Sequence, residues 1–112
     1  SEKARIAVEN LEAALRLNRA AAEMQKSAIK IMDDNRSDEK ALRYLRLTTK
    51  VLRMSVELLR ASLELAEKAL REEGSDDSAE KVRKEAEEIL KESTEILKEA
   101  DKETKRADEE GS

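Results

Sequence analysis

Small residues recur at every seventh position in three separate stretches of the chain, and this repeat constrains the fold more than any other feature. Ala7, Ala14, Ala21 and Ala28 form the first series; Ala41, Thr48, Ser55, Ser62 and Ala69 form the second; Ala79, Ala86, Ser93, Ala100 and Ala107 form the third. At about 100° per residue a seven-residue step returns to nearly the same helix face, so each series is a lane running down one helix. Larger apolar residues flank each lane, as Ile89, Leu90, Ile96 and Leu97 do around Ser93. A sustained seven-residue repeat favours left-handed supercoiling of near-parallel helices.

The breaks between the lanes are short. The first helical pattern runs from about Glu2 to Asp33 and stops at Asp34-Asn35-Arg36, where Asn35 is expected to close the helix in the left-handed conformation. Ser37 is expected to cap a second helix that spans about 38–73, with Asp38 and Glu39 in the first turn complementing the helix dipole. Gly74 ends it. Asp77 is expected to cap the third helix, about 77–109, with Glu80 reaching back as in a capping box. The chain has no Pro and only two Gly, which removes the punctuation of β turns and long linkers. Residues 1–112 therefore read as one domain. Ser1 and the Gly111-Ser112 end read as expression trimming and stand outside the fold argument.

Helices of this length reach roughly 50 Å, and connections of a few residues make sequential helices antiparallel neighbours. The expected fold is all-α: an antiparallel three-helix bundle with coiled-coil-like packing. Charged residues make up 45% of the chain, a load that can signal disorder, but strict helical spacing of the apolar residues argues for a folded rod. Glu64 with Lys68, Glu67 with Arg71, Glu80 with Lys84 and Glu87 with Lys91 are expected to pair along the outer faces.

The width of the apolar face differs between the helices. The third is apolar over roughly a third of its circumference, through Val82, Ile89, Leu90, Ile96 and Leu97, which is what one covering helix needs. The second carries one stripe of Leu42, Leu45, Leu52, Val56, Leu59, Leu63 and Leu70, and a further stripe of Tyr44, Leu47, Val51, Met54, Leu58 and Leu65. The first has Val8, Leu11, Leu15 and Ile29 on one side, and Ile6, Leu17, Met24 and Ile31 on the other. A lone three-helix bundle hides only about half of each helix, so the second stripes are surplus and are expected to meet another chain in a larger multichain bundle.

Polar residues also sit where apolar ones would pack. Asn10, Asn18 and Gln25 in the first helix, Thr48, Ser55 and Ser62 in the second and Ser93 in the third fall inside the apolar arcs. Unpaired buried amides and hydroxyls cost about 1–3 kcal/mol each, so the expectation is a hydrogen-bonded set across helices that fixes register and oligomer state. The competing reading is that Ser and Thr bond back to their own helix while Asn and Gln sit at a wet edge.

Little else carries chemistry. The absence of His and Cys removes catalytic triads, disulfides and the familiar zinc ligand sets. Glu85, Glu88, Glu92, Glu95 and Glu99 read as a solvated face rather than a metal or catalytic site, and no Gly-rich phosphate loop occurs. No catalytic, cofactor or metal residue is assigned, and no enzyme activity is expected. No apolar run of about 18 residues or signal-peptide core is present, so no membrane role is expected and the default is a soluble, cytoplasmic protein. Arg36, Lys40, Arg43, Arg46, Lys50 and Arg53 form the one basic stretch. With net charge −4 and no interleaved aromatic residues, it is read as complementing the acidic third helix and not as a nucleic-acid surface.

Capped helices of matched length, Gly-Ser-Asp-Asp turn chemistry, a heptad used three times, Glu with Lys or Arg on nearly every outer position, and the lack of Pro, Cys, His and Trp together resemble de novo designed helical bundles. Asn10, Asn18, Gln25, Thr48, Ser55 and Ser62 are similar to the buried hydrogen-bond networks of that class. The resemblance implies assembly as the purpose, recombinant expression as the setting, and no natural biochemical activity. The expected partner is the chain itself, a dimer first and a trimer second. The alternatives are a three-helix acceptor for one amphipathic helix of a designed partner chain and, ranked lower, a lipid-binding amphipathic bundle.

Overall fold

The computed structural model describes residues 2–110. Three α-helices account for nearly all of them: α1 spans Glu2–Asp34, α2 Glu39–Glu73 and α3 Asp77–Glu110. They pack as an all-α three-helix bundle whose Cα extents are 56 × 17 × 17 Å. Consecutive helices run antiparallel. Lys3 near the start of α1 meets Glu72 near the end of α2 at 3.0 Å, while Arg46 early in α2 meets Asp108 late in α3 at 2.6 Å.

Both turns follow from capping chemistry, though with other residues than the sequence suggested. Asp38, not Ser37, caps α2: its carboxylate accepts from the Lys40 backbone N–H at 2.8 Å. Asp76, not Asp77, caps α3, accepting from the Ala79 N–H at 2.8 Å. Glu80 does reach back, but its carboxylate accepts from the Ser75 hydroxyl at 2.7 Å instead of a cap N–H. Among the described residues none but Gly74 has positive φ, at 91°, so Asn35 does not take the left-handed conformation. Instead its amide Nδ2 donates to the Ile31 carbonyl at 2.9 Å and supplies the bond that a left-handed cap would have made. Asp76→Ala removes one cap bond and is expected to lower stability by about 1 kcal/mol, read from the urea midpoint.

The core lies along the rod as apolar layers. Ala4, Ala69, Leu70 and Ala79 close one end; Leu11, Leu15, Leu59, Leu63 and Ala86 belong to the next layer. Ala21, Ala22, Leu52 and Val56 follow, and Ala28, Met32, Ala41, Leu45, Ala100 and Ala107 form the layer at the far end. All five small residues of the α3 lane are buried, so α3 backs closely onto the α1–α2 pair and stays packed beyond Ala100, where its sequence turns polar.

The outer charges pair across helices as well as along them. Arg36 in the first turn, with Arg46 and Arg53 seven residues apart on α2, bond Glu110 at 3.2 Å, Asp108 at 2.6 Å and Asp101 at 2.7 Å on α3. The basic stretch of α2 thus lies against the acidic face of α3. The four expected i,i+4 pairs do not form among the described residues. Arg83 takes Glu80 at 2.9 Å, Glu87 at 3.0 Å and Glu67 at 3.4 Å instead, because one guanidinium fork presents several donors where a lysine offers a point charge.

Candidate functional site

Five of the seven polar residues singled out above are buried: Asn18, Gln25, Thr48, Ser55 and Ser93. They form separate groups and not one continuous lane. At mid-rod the Ser93 hydroxyl of α3 donates to Asn18 Oδ1 at 2.6 Å, Asn18 Nδ2 donates to Ser55 Oγ of α2 at 3.0 Å, and Ser55 Oγ donates to the Leu52 carbonyl at 2.8 Å. One amide, wholly out of solvent, therefore ties the three helices at a single level. Asn supplies both a donor and an acceptor, and each serine hydroxyl turns to the role that remains.

One heptad further along α1, Gln25 Nε2 donates to Thr49 Oγ1 at 2.7 Å, and Thr49 Oγ1 donates to the Leu45 carbonyl at 2.7 Å. Thr49 is the residue that sequence reasoning missed. Thr48, the one it chose, is buried but bonds only its own helix, at the Leu45 carbonyl, 3.0 Å away. The signal available was the row of Leu42, Val56, Leu63 and Leu70, on which Thr49 is the one polar member. Gln25 Oε1 is buried and has no donor among the described residues. Thr49→Val would leave the whole Gln25 amide unpaired, at an expected cost of about 1–3 kcal/mol, whereas Thr48→Val should cost under about 0.5 kcal/mol. Thermal melts of the two variants separate these outcomes.

Asn10 and Ser62 depart from the expectation of a buried set. Asn10 is exposed and Ser62 half-buried, and neither makes a side-chain hydrogen bond among the described residues. They lie instead on an open groove of about 600 Å³ between α1 and α2, on the side away from α3, whose walls include Ile6, Leu17, Leu58 and Leu65. Asn10 lies about 80° around α1 from the buried Asn18, too far to enter the core of one chain, while Ser62 shares the lane of the buried Ser55 and Ala69 but meets the groove at its level.

That groove belongs to a longer apolar face. Ile6, Leu17, Met24 and Ile31 on α1, with Tyr44, Leu47, Val51, Met54, Leu58 and Leu65 on α2, are all between 38% and 69% exposed. Among the described residues α3 exposes no large apolar side chain. Val82, Ile89, Leu90, Ile96 and Leu97 on α3 are each half-buried.

Charge near these features is unremarkable except at the rod ends. The hydrogen bond from Lys3, helped by its charge, holds the Glu72 carboxyl below the usual carboxylate range and raises Lys3 in return. A hydrogen bond from Ser75 and then Arg83 lowers Glu80. The carboxylate contributions are present above the usual carboxylate range and are lost as pH falls through the lowered one; that of Lys3 is lost as pH rises through its raised range. All three groups are solvated, so these effects are small. Glu103 is a buried carboxylate that sequence reasoning did not single out, 3.3 Å from Arg106.

Among the described residues no cluster of three potential metal ligands occurs, and no helix is long and apolar enough to cross a membrane. No protein-family model, curated protein or solved structure matches the chain.

Proposed function

We propose that this chain is a structural self-assembly module, a three-helix protomer of a homo-oligomeric helical bundle, with polar residues at the helix contacts setting its specificity. The observation that carries this is the placement of ten large apolar residues on the outer side of α1 and α2 against none on α3. Scattered apolar residues need no explanation, but a continuous face along a rod exceeds what monomers usually leave wet. A face with the rod's 56 by 17 Å extents has a footprint of roughly 900 Å², close to the ~800 Å² per partner of a stable interface. The residues that resemble designed hydrogen-bond networks fit the same purpose, because polar pairs specify register better than they add stability.

Light scattering on a sizing column at micromolar concentration tests the proposal. A single dimeric species is expected, with a trimer as the next closed arrangement. A stable monomer overturns it. A monomer that becomes a one-to-one complex only with an added amphipathic helix would replace it with the acceptor reading, in which the groove takes one foreign helix.

A further inference from the structure

The outer rows of α1 read as a second coiled-coil seam. Ile6, Asn10, Ala13, Leu17, Ala20, Met24, Ser27 and Ile31 follow one another in alternating steps of four and three, the spacing of facing core positions. Read from both ends toward the middle, this seam is complementary to itself. Ile6 matches Ile31, Asn10 matches Ser27, Ala13 matches Met24, and Leu17 matches Ala20. Polar falls on polar and small on large in every layer but the first, and each match joins the two alternating rows, as an antiparallel pair requires. The midpoint lies between Leu17 and Ala20.

The outer seam of α2 has the same property. Leu47 matches Leu65, Val51 matches Ala61, Met54 matches Leu58, and Tyr44 falls on the aliphatic stem of Lys68. Its midpoint lies at residue 56. The Asn18–Ser55 hydrogen bond, at 3.0 Å, places both midpoints at one level of the rod, so a single perpendicular axis serves both seams. Resting on the self-association proposed above, we infer that the partner is a second copy related by a two-fold axis perpendicular to the rod. This sets α1 antiparallel to α1 of the second copy, with Asn10 hydrogen-bonded to its Ser27.

Direction favours a flat pair of helices over a single inserted one. On α1 the fully buried Asn18 and Gln25 point to the bundle centre, and on α2 Leu45, Leu52 and Leu59 do. At about 100° per residue the exposed rows centre some 120–130° from those directions. In a triangular bundle a helix sees each neighbour about 30° from the centre, so the exposed rows of α1 and α2 each face about 90–100° away from the other helix. That is the right angle of a square four-helix core. A helix nested in the groove would need about 60°.

An axis along the rod would also give a square core, facing α1 with α2 of the second copy. It sets Asn10 against Leu65, Ser27 against Leu47 and Ala13 against Ala61, leaving two buried polar groups unpaired and a void. The perpendicular axis sets Glu9 near Lys30 and Arg16 near Glu23 of the second copy along α1. On α2 it sets Lys50 near Glu64 but brings Glu57 close to its own copy and Arg43 to Arg71. Solvent-exposed ion pairs contribute little to association, so the packing of polar and bulky layers decides.

Asn10 and Ser27 stand 17 positions apart on one helix, about 25 Å, too far to interact within a chain. A double-mutant cycle on the dimer dissociation constant, with Asn10→Ala, Ser27→Ala and both, is expected to show non-additivity of about three- to tenfold for each of the two symmetric contacts. Both residues are exposed in the protomer, so folding is unaffected. The chain has no cysteine, which makes disulfide trapping clean. Ala13→Cys with Met24→Cys should oxidise to a covalent dimer, since within one chain these positions lie about 16 Å apart. Ala13→Cys with Ala61→Cys should not. A dimer with an additive cycle, or trapped by the second pair and not the first, overturns the perpendicular axis and leaves self-association standing. A monomeric wild-type chain overturns the underlying proposal itself.

Discussion

Val51→Glu with Leu58→Glu is expected to leave the protomer folded and to abolish its self-association, whereas Leu52→Glu with Leu59→Glu should unfold it. The two pairs are neighbours in sequence and differ by one helical step. Val51 and Leu58 are 44% and 48% exposed, Leu52 and Leu59 wholly buried. On the exposed rows a carboxylate stays solvated in the single chain, and such substitutions usually change stability by less than about 0.5 kcal/mol. In the proposed dimer the same change puts four carboxylates between apolar layers, and an uncompensated buried charge costs several kcal/mol, so association should weaken by of order a thousandfold or more. In the core, two such charges approach the whole 5–15 kcal/mol that holds a domain together. Circular dichroism reports the fold and sedimentation the assembly. Loss of helicity in the first pair, or a folded second pair, would contradict the division of faces described above.

The second large effect is at Asn18. Asn18→Ala opens a cavity where three helices meet and strips the Ser93 hydroxyl of its acceptor, so a loss of about 2–4 kcal/mol is expected. Replacing the whole group, Asn18→Leu with Ser55→Ala and Ser93→Ala, should come close to neutral or raise the melting temperature, because no buried polar atom then lacks a partner. What should suffer is uniqueness. The apolar layers on either side, one with Leu15 and Leu59 and the other with Leu52 and Val56, would no longer be separated by a polar contact that only one register satisfies. Chemical denaturation of the single and triple variants tests the energetic half, and broadened NMR resonances at Leu15 and Val56 in the triple variant test the other.

Much of the fold was legible because periodicity is a local property with global consequences. The lanes at seven-residue spacing, the two short breaks and the narrower apolar arc of α3 follow from side-chain order alone. So does the surplus on α1 and α2: each of the ten residues assigned to the outer stripes is exposed in the folded chain. An α-helix turns the same way wherever it lies, so relative positions on one helix need no tertiary knowledge.

What lay beyond the sequence was every choice between adjacent candidates in space. Ser37 or Asp38, Asp76 or Asp77, and Thr48 or Thr49 are equally good chemistry one residue apart. The chain path into the helix and the angle of the neighbouring helix decide which oxygen arrives within 3 Å. The same holds for Asn10, which shares its residue type with Asn18 but lies about 80° away around α1, in the groove and not the core. The sequence by itself determined how much apolar and polar surface each helix carries and on which bearing, because those are set by the turn of one helix. Only the tertiary structure decided which bearings converge, because hydrogen bonds and close packing depend on distances between helices that no single helix contains.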